Sequence, residues 1–222
     1  MISGKIETAV KNVLIRVVPA AILPADCYLA GGTALYFQFH QRLSIDLDFF
    51  SPRVFNPELL LFKFREVFGE VSLGIMESET LVLFLSPDKI KVSLFYFPYK
   101  LLAPKVNYEI EPGWFVPLAS LEDIEAMKAV ALVQRGSAKD FIDLFYLLRR
   151  SRHSLNDLFN LVQGKYNLEE NYIYQLKTAL VYFDDAEKEL GGIILIDERG
   201  EARGILEKEW QEIKDFFLRF CL

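Results

Sequence analysis

Residues 29–51 read LAGGTALYFQFHQRLSIDLDFFS. A short apolar run, Cys27 to Ala30, ends in Gly31-Gly32, the mark of a strand entering a tight turn. Thr33, a helix-capping residue type, opens a short helical segment from Ala34 to Arg42. Ser44 to Phe50 then alternates strictly, with Ile45, Leu47 and Phe49 on one face and Asp46, Asp48 and Phe50 on the other. The spacing predicts a strand with two carboxylates on the same side. Asp is disfavoured in strands, so two of them on a strand packed into a sheet call for a chemical reason.

Around this stretch the first half reads as α/β. A helix over Ile6 to Val18 precedes it, with apolar positions at Ile6, Val10, Val13, Leu14 and Val17. A helix around Pro57 to Phe68 follows, then strands at Val71 to Met76, Thr80 to Leu85 and Ile90 to Phe97. Pro98, Pro104, Pro112, Gly113 and Pro117 break the pattern, and the domain boundary is placed near their end. Residues 1–117 then form an α/β core and residues 118–222 a helical domain. The helical candidates are Leu121 to Gln134, Lys139 to Arg149, Leu155 to Gln163, Glu169 to Asp185 and Gly204 to Leu222, with 191–192 and 197–200 as loops. The fold class is α+β: a mixed sheet with flanking helices, followed by an α-helical C-terminal half.

Composition narrows the setting. The 222 residues are 52% hydrophobic and 25% charged, which excludes a disordered chain. A formal net charge of −6 argues against wholesale binding along a phosphate backbone and leaves room only for a local basic patch. The cluster Arg149, Arg150, Arg152 and His153 is the candidate patch, with completion of a helix dipole as its structural alternative. Two lone cysteines, Cys27 and Cys221, suit a reducing compartment, and the N-terminus lacks a secretory-signal pattern. The expected location is cytoplasmic, with no membrane span.

The Gly-Gly turn and the two aspartates form the strongest constellation. Gly31 and Gly32 let backbone N–H groups approach a phosphate at a helix N-terminus, and Thr33 can add its hydroxyl. Asp46 and Asp48 suit a hard divalent cation, and Mg²⁺ takes one or two carboxylates together with substrate phosphate oxygens. Further on, Lys128 lies in the apolar run Ala126 to Val133, where it either snorkels to an edge or meets an anion in a pocket. Arg135 returns to nearly the same helix face. Asp140, three residues after Ser137, has the spacing of a capping-box acid.

Two blocks, GGTAL followed by SIDLDFFS and then residues 120–148 (SLEDIEAMKAVALVQRGSAKDFIDLFYLL), resemble the AbiEii/AbiGii-type nucleotidyltransferase toxin family of the DNA polymerase β-like superfamily. The resemblance implies a nucleotidyltransferase-type sheet and a Mg²⁺- or Mn²⁺-dependent transfer of NMP from NTP to an acceptor such as tRNA, another RNA or a protein. It also implies a cognate antitoxin. Asp46 and Asp48 would hold metal, Gly31, Gly32, Thr33, Lys128 and Arg135 would bind nucleotide, and Asp46, Asp48, Lys128 and Asp140 would serve catalysis. One position departs from the pattern. The third carboxylate of the superfamily is expected on strand Ile90 to Phe97, and Ser93 stands there. A serine is a weak metal ligand and no general base at neutral pH. The alternative is therefore a catalytically weak or silent nucleotide-binding or partner-binding module of the same fold.

Overall fold

The computed structural model describes residues 2–197 and 199–222, with side chains from Glu7 onward, so the Ile6 side chain and Glu198 lie outside the described residues. The chain divides into two compact units. The first comprises Met1–Gln38, Ser44–Lys100 and Pro104–Ala119; the second comprises Phe39–Leu43, Leu101–Ala103 and Ser120–Leu222. A single cut in the sequence near residue 117 does not describe this division, because 39–43 and 101–103 pack with the helical unit.

In the first unit α1 (Ile2–Val17) leads to β1 (Tyr28–Ala30), α2 (Gly31–Phe39), β2 (Leu47–Ser51) and α3 (Pro57–Phe68). Then come β3 (Val71–Glu77), β4 (Thr80–Leu85), β5 (Ile90–Tyr96), β6 (Val106–Glu111) and β7 (Trp114–Leu118). The seven strands form one mixed sheet in the order β3-β4-β5-β2-β1-β7-β6. β2 pairs antiparallel with β1 and parallel with β5, so it is central. Leu47 and Phe49 on β2 and Val92 and Leu94 on β5 are fully buried, and α1 and α3 pack on the sheet through Val10, Leu14, Leu60 and Phe64. This apolar alternation is what fixes the register, since a slip of one residue would drive the intervening polar side chains into the core.

The structure corrects several boundaries. The segment 98–117 is irregular only up to Lys105: beyond it β6 and β7 form a hairpin at one end of the sheet, closed by Gly113 at φ 82. Pro112 and Gly113 make the turn, and Pro117 sits within β7 opposite Asn107. α2 begins at Gly31, so the two glycines are its first residues and Thr33 lies inside it. Strand β2 begins at Leu47, leaving Asp46 just before it and Ile45 exposed. The Thr33 hydroxyl explains this, because it donates to the Asp46 carbonyl at 2.5 Å and takes that carbonyl out of the ladder.

The second unit contains α4 (Leu121–Arg135), α5 (Ala138–Ser151), α6 (Leu155–Tyr166), α7 (Tyr172–Leu180), α8 (Asp184–Glu187) and α9 (Glu207–Phe220). The stretch 169–185 breaks into two helices. Between α8 and α9 lies an unexpected hairpin of β8 (Ile194–Ile196) and β9 (Ala202–Gly204). Phe141 is at the centre of the core, with Phe183, Trp210 and Phe217 rings 5.1–5.9 Å away. Two buried carboxylates hold the inserted segments. Asp123 accepts from the Leu102 backbone N–H at 3.0 Å and pairs with the buried Lys165 at 2.6 Å. Asp143 takes both Arg42 Nε and Nη2 at 2.7 Å, with Lys128 Nζ at 2.7 Å on its second oxygen. Residues 41–43 also pair with β8 through Leu43 N to Ile194 O and Ile196 N to Gln41 O.

Burial opposes ionisation of Asp143, but Arg42 and Lys128 outweigh it and bring its pKa down to about 2. A carboxylate depressed in the folded state stabilises the fold above its unfolded value near 4 and loses that contribution as pH falls toward 2. Removing one partner of a buried ion pair typically costs about 3–5 kcal/mol. Lys128→Met, which takes one of two cationic partners from each of Asp140 and Asp143, is therefore expected to destabilise the helical unit by up to that order in denaturant melts. Asp143→Ala should make the loss of stability between pH 4 and pH 2 shallower than in the native chain. An unchanged midpoint in Lys128→Met would show that the pair is not structural.

Candidate functional site

The site is assembled by the two neighbours of β2. On one side Ala30 of β1 is opposite Asp48, so the next residue, Gly31, comes up against the carboxylate. Gly31 has φ 69, a conformation side chains rarely adopt, and a Cβ there would meet Asp48 Oδ2 at 3.4 Å. The positive φ is what calls for glycine here, and the Asp48 carboxylate lies at van der Waals distance from the same position. The helix that begins here carries unpaired backbone N–H groups at its first turn, the standard setting for an anion. On the other side of β2, Asp48 is directly opposite Ser93 of β5 in the parallel register, which puts both side chains on one sheet face.

Ser93 is fully buried, and its Oγ has no hydrogen-bond partner. A buried hydroxyl without a partner is costly, and it is aimed at the face that carries Asp48. Two positions earlier on the same side of β5, Lys91 places its Nζ 4.0 Å from Asp46 Oδ2. Asp46 thus borders the same face from just outside the strand. Gly31, Asp46, Asp48 and Ser93 are brought together in the first unit. The donor set consists of two hard carboxylates and one hydroxyl, and among the described residues no group of three or more His, Cys, Asp or Glu side chains gathers at one point. Two carboxylates suit a single hard cation completed by phosphate oxygens and water.

Thr33 does not offer a free hydroxyl to a phosphate. It is 1% exposed, with Oγ1 on the Asp46 carbonyl and 3.0 Å from Ser44 Oγ. Its observed contacts set the backbone of Asp46 instead. Lys91 is the residue the sequence reading passed over, although its alternation with Ser93 on a strand was the available signal.

Lys128, Arg135 and Asp140 lie in the helical unit and form a cluster of their own. Lys128 Nζ is 2.9 Å from Asp140 Oδ1 and also bonds Asp143, and Arg135 grips Asp140 through Nε at 2.7 Å and Nη2 at 3.0 Å. Lys128 is buried, so its apolar helix brings it to an anion and snorkelling does not describe it. Asp140 does not cap α5: the Ser137 N-cap makes no side-chain hydrogen bond, and the Asp140 carboxylate is occupied by the two cations. Burial opposes its ionisation, but Lys128 and Arg135 outweigh that and lower its pKa. The basic patch at the end of α5 is engaged as well. Arg149 pairs with Glu212, the Arg150 guanidinium lies 4.8 Å from the centre of the Phe39 ring, and His153 Nδ1 is 2.8 Å from Glu125.

Comparison with known proteins bears on the fold and the family. Residues 12–220 match the model of the family described as nucleotidyl transferase AbiEii toxin, type IV TA system. A protein of Aquifex aeolicus described as uncharacterized protein aq_aa25 is 36% identical over 218 residues, covering 97% of this chain and 95% of that protein. Among solved structures, the MenT4 nucleotidyltransferase toxin of Mycobacterium tuberculosis superposes with a TM-score of 0.55 at 16% identity, over 99% of this chain and 83% of that one. A putative nucleotidyltransferase from Helicobacter pylori does so with a TM-score of 0.55 at 16% identity, over 95% and 93%. The structural likenesses establish a shared fold, and the match over nearly the whole sequence establishes more: this chain belongs to the nucleotidyl transferase AbiEii toxin family.

Proposed function

We propose that the chain transfers a nucleoside monophosphate from a Mg²⁺-bound (or Mn²⁺-bound) NTP to an acceptor hydroxyl at the face formed by Gly31, Asp46, Asp48 and Ser93. The observation that carries this is the register of β2, which sets one carboxylate between a helix N-terminus on one side and an unpartnered buried hydroxyl on the other. In the reaction the acceptor oxygen attacks the α-phosphorus, the bond from that phosphorus to the bridging oxygen breaks, and pyrophosphate leaves. Asp46 and Asp48 would hold the cation, which supplies charge neutralisation at the phosphates when bound. The first N–H groups of α2, at Gly31 and Gly32, would orient the phosphate chain.

The acceptor's proton has no carboxylate to receive it at the Ser93 position. Proton transfer to a positioned base commonly contributes about 10²–10⁴-fold in rate. Native transfer would then be slow while nucleotide binding stays intact. The second reading, a nucleotide-binding module that transfers little or nothing, is favoured by this same residue. An RNA such as tRNA, or a protein, is the acceptor class, a cognate antitoxin is the expected partner, and the cytoplasm is the expected setting. No helix among the described residues is long and apolar enough to cross a membrane. For Lys128, Arg135 and Asp140 the proposed role is structural, because both cations are engaged by the buried Asp140 carboxylate within the helical unit.

Two tests follow from the site. Mg²⁺–NTP at a hundredfold excess over its Kd should stabilise the native chain by about 2.7 kcal/mol through linkage. Asp48→Ala should remove that shift and leave the ligand-free midpoint nearly unchanged, and no shift with any NTP at millimolar concentration would refute the nucleotide site. With radiolabelled NTP and total RNA or total protein as acceptor, Ser93→Asp should raise the single-turnover rate by about 10²-fold or more while changing nucleotide affinity little. Fast native transfer, unimproved by the substitution, would mean another group takes the proton.

A further inference from the structure

We infer that this site takes one divalent cation per bound nucleotide, not two, and that the Lys91 ammonium supplies the second positive charge. The inference rests on the nucleotidyl-transfer reading and goes beyond it by assigning a metal stoichiometry and a role to Lys91. A pair of metal ions in a phosphoryl-transfer site sits about 3.5–4 Å apart and needs carboxylates enough to bridge and flank both. Among the described residues no third carboxylate joins Asp46 and Asp48, and the position between β2 and β4 where one could stand is the neutral Ser93, opposite Asp48 on one strand and Val82 on the other.

The charge local to Asp46 points the same way. Asp46 and Asp48 bring −2, and Lys91 offsets one of these from 4.0 Å, leaving −1 at the face. One divalent ion turns that to +1, which meets the triphosphate. A second would have to settle against Asp46 beside an ammonium already there, repelled by it and with a hydroxyl in place of a third carboxylate. The ammonium is a compact point charge with three donors, well suited to phosphate oxygens. The Ser93 hydroxyl, buried and unpartnered, then has a defined partner: a phosphate oxygen, or a water of the single ion's shell, would complete its hydrogen bonding. Both side chains come from the same face of β5, one residue apart in the alternation, so one strand supplies both the hydroxyl and the cation.

The test is a Mn²⁺ titration of the full chain, followed by electron paramagnetic resonance and calorimetry, with a non-hydrolysable α,β-methylene NTP analogue. The native protein should bind one Mn²⁺ per bound analogue, and Lys91→Met combined with Ser93→Asp should bind two. Lys91→Met alone should weaken the analogue about tenfold or more, the scale of a lost charged hydrogen bond. Two Mn²⁺ per analogue in the native protein would overturn the stoichiometry and leave the nucleotide reading standing. Unchanged analogue affinity in Lys91→Met would overturn the role of the lysine. An analogue that binds neither protein would overturn this inference together with the nucleotide reading beneath it.

Discussion

The register of β2 is the constraint on which the rest of the site depends. Its antiparallel pairing with β1 brings Gly31 against the Asp48 carboxylate, and its parallel pairing with β5 sets Ser93 beside the same carboxylate. The pairing is held from beneath by Leu47, Phe49, Val92 and Leu94, all fully buried. Slipping the strand by one position would bury Asp48 and expose Phe49, so the apolar face enforces the geometry of the polar one. Thr33 adds a local lock by capturing the Asp46 carbonyl, which ends the ladder one residue short and leaves the first aspartate at the rim.

The helical unit uses charge in the opposite way. Arg42, Lys128 and Arg135 meet Asp140 and Asp143 with the carboxylates wholly buried, and the result is one connected network that reaches solvent at Arg135. Buried pairs of this kind add little net stability relative to an apolar core, but they are costly to break. Their evident structural work is to tie residues 39–43 to α5, as Asp123 and Lys165 tie residues 101–103 to α4 and α6. The segments that interrupt the sequence order of the two units are thus the ones held by ion pairs. Hydrophobic contacts alone would not specify them, since 41–43 presents a glutamine and an arginine.

Much of the site could be read from the sequence because its signals are local. Strand alternation puts Asp46 and Asp48 on one side, the Gly-Gly pair marks the turn after β1, and the resemblance to the family, through the third carboxylate it expects, singles out Ser93. The misses have physical causes. The β6–β7 hairpin is hidden in the sequence because Pro104, Pro112 and Pro117 resemble linker punctuation, whereas Pro104 precedes β6, Pro112 lies in the turn and Pro117 is accommodated within β7. The start of β2 was misplaced because its end is set by a side-chain hydrogen bond from another element. The Asp140 spacing imitated a helix cap, but pairing with Lys128 and Arg135 is a tertiary choice that no local pattern contains. Nothing in the local sequence sets Lys91 apart; its distance to Asp46 does.

The central claim is that Asp46 and Asp48 hold the cation of a bound nucleotide. It is tested most directly by anomalous diffraction at the manganese edge from crystals grown with Mn²⁺ and a non-hydrolysable NTP analogue. The account predicts an anomalous peak at metal–carboxylate distance, about 2.1 Å, from both side chains, with the analogue's phosphates against the N–H groups at Gly31 and Gly32. A peak and phosphate density away from these two carboxylates, for example against the Lys128 and Arg135 cluster, would contradict it.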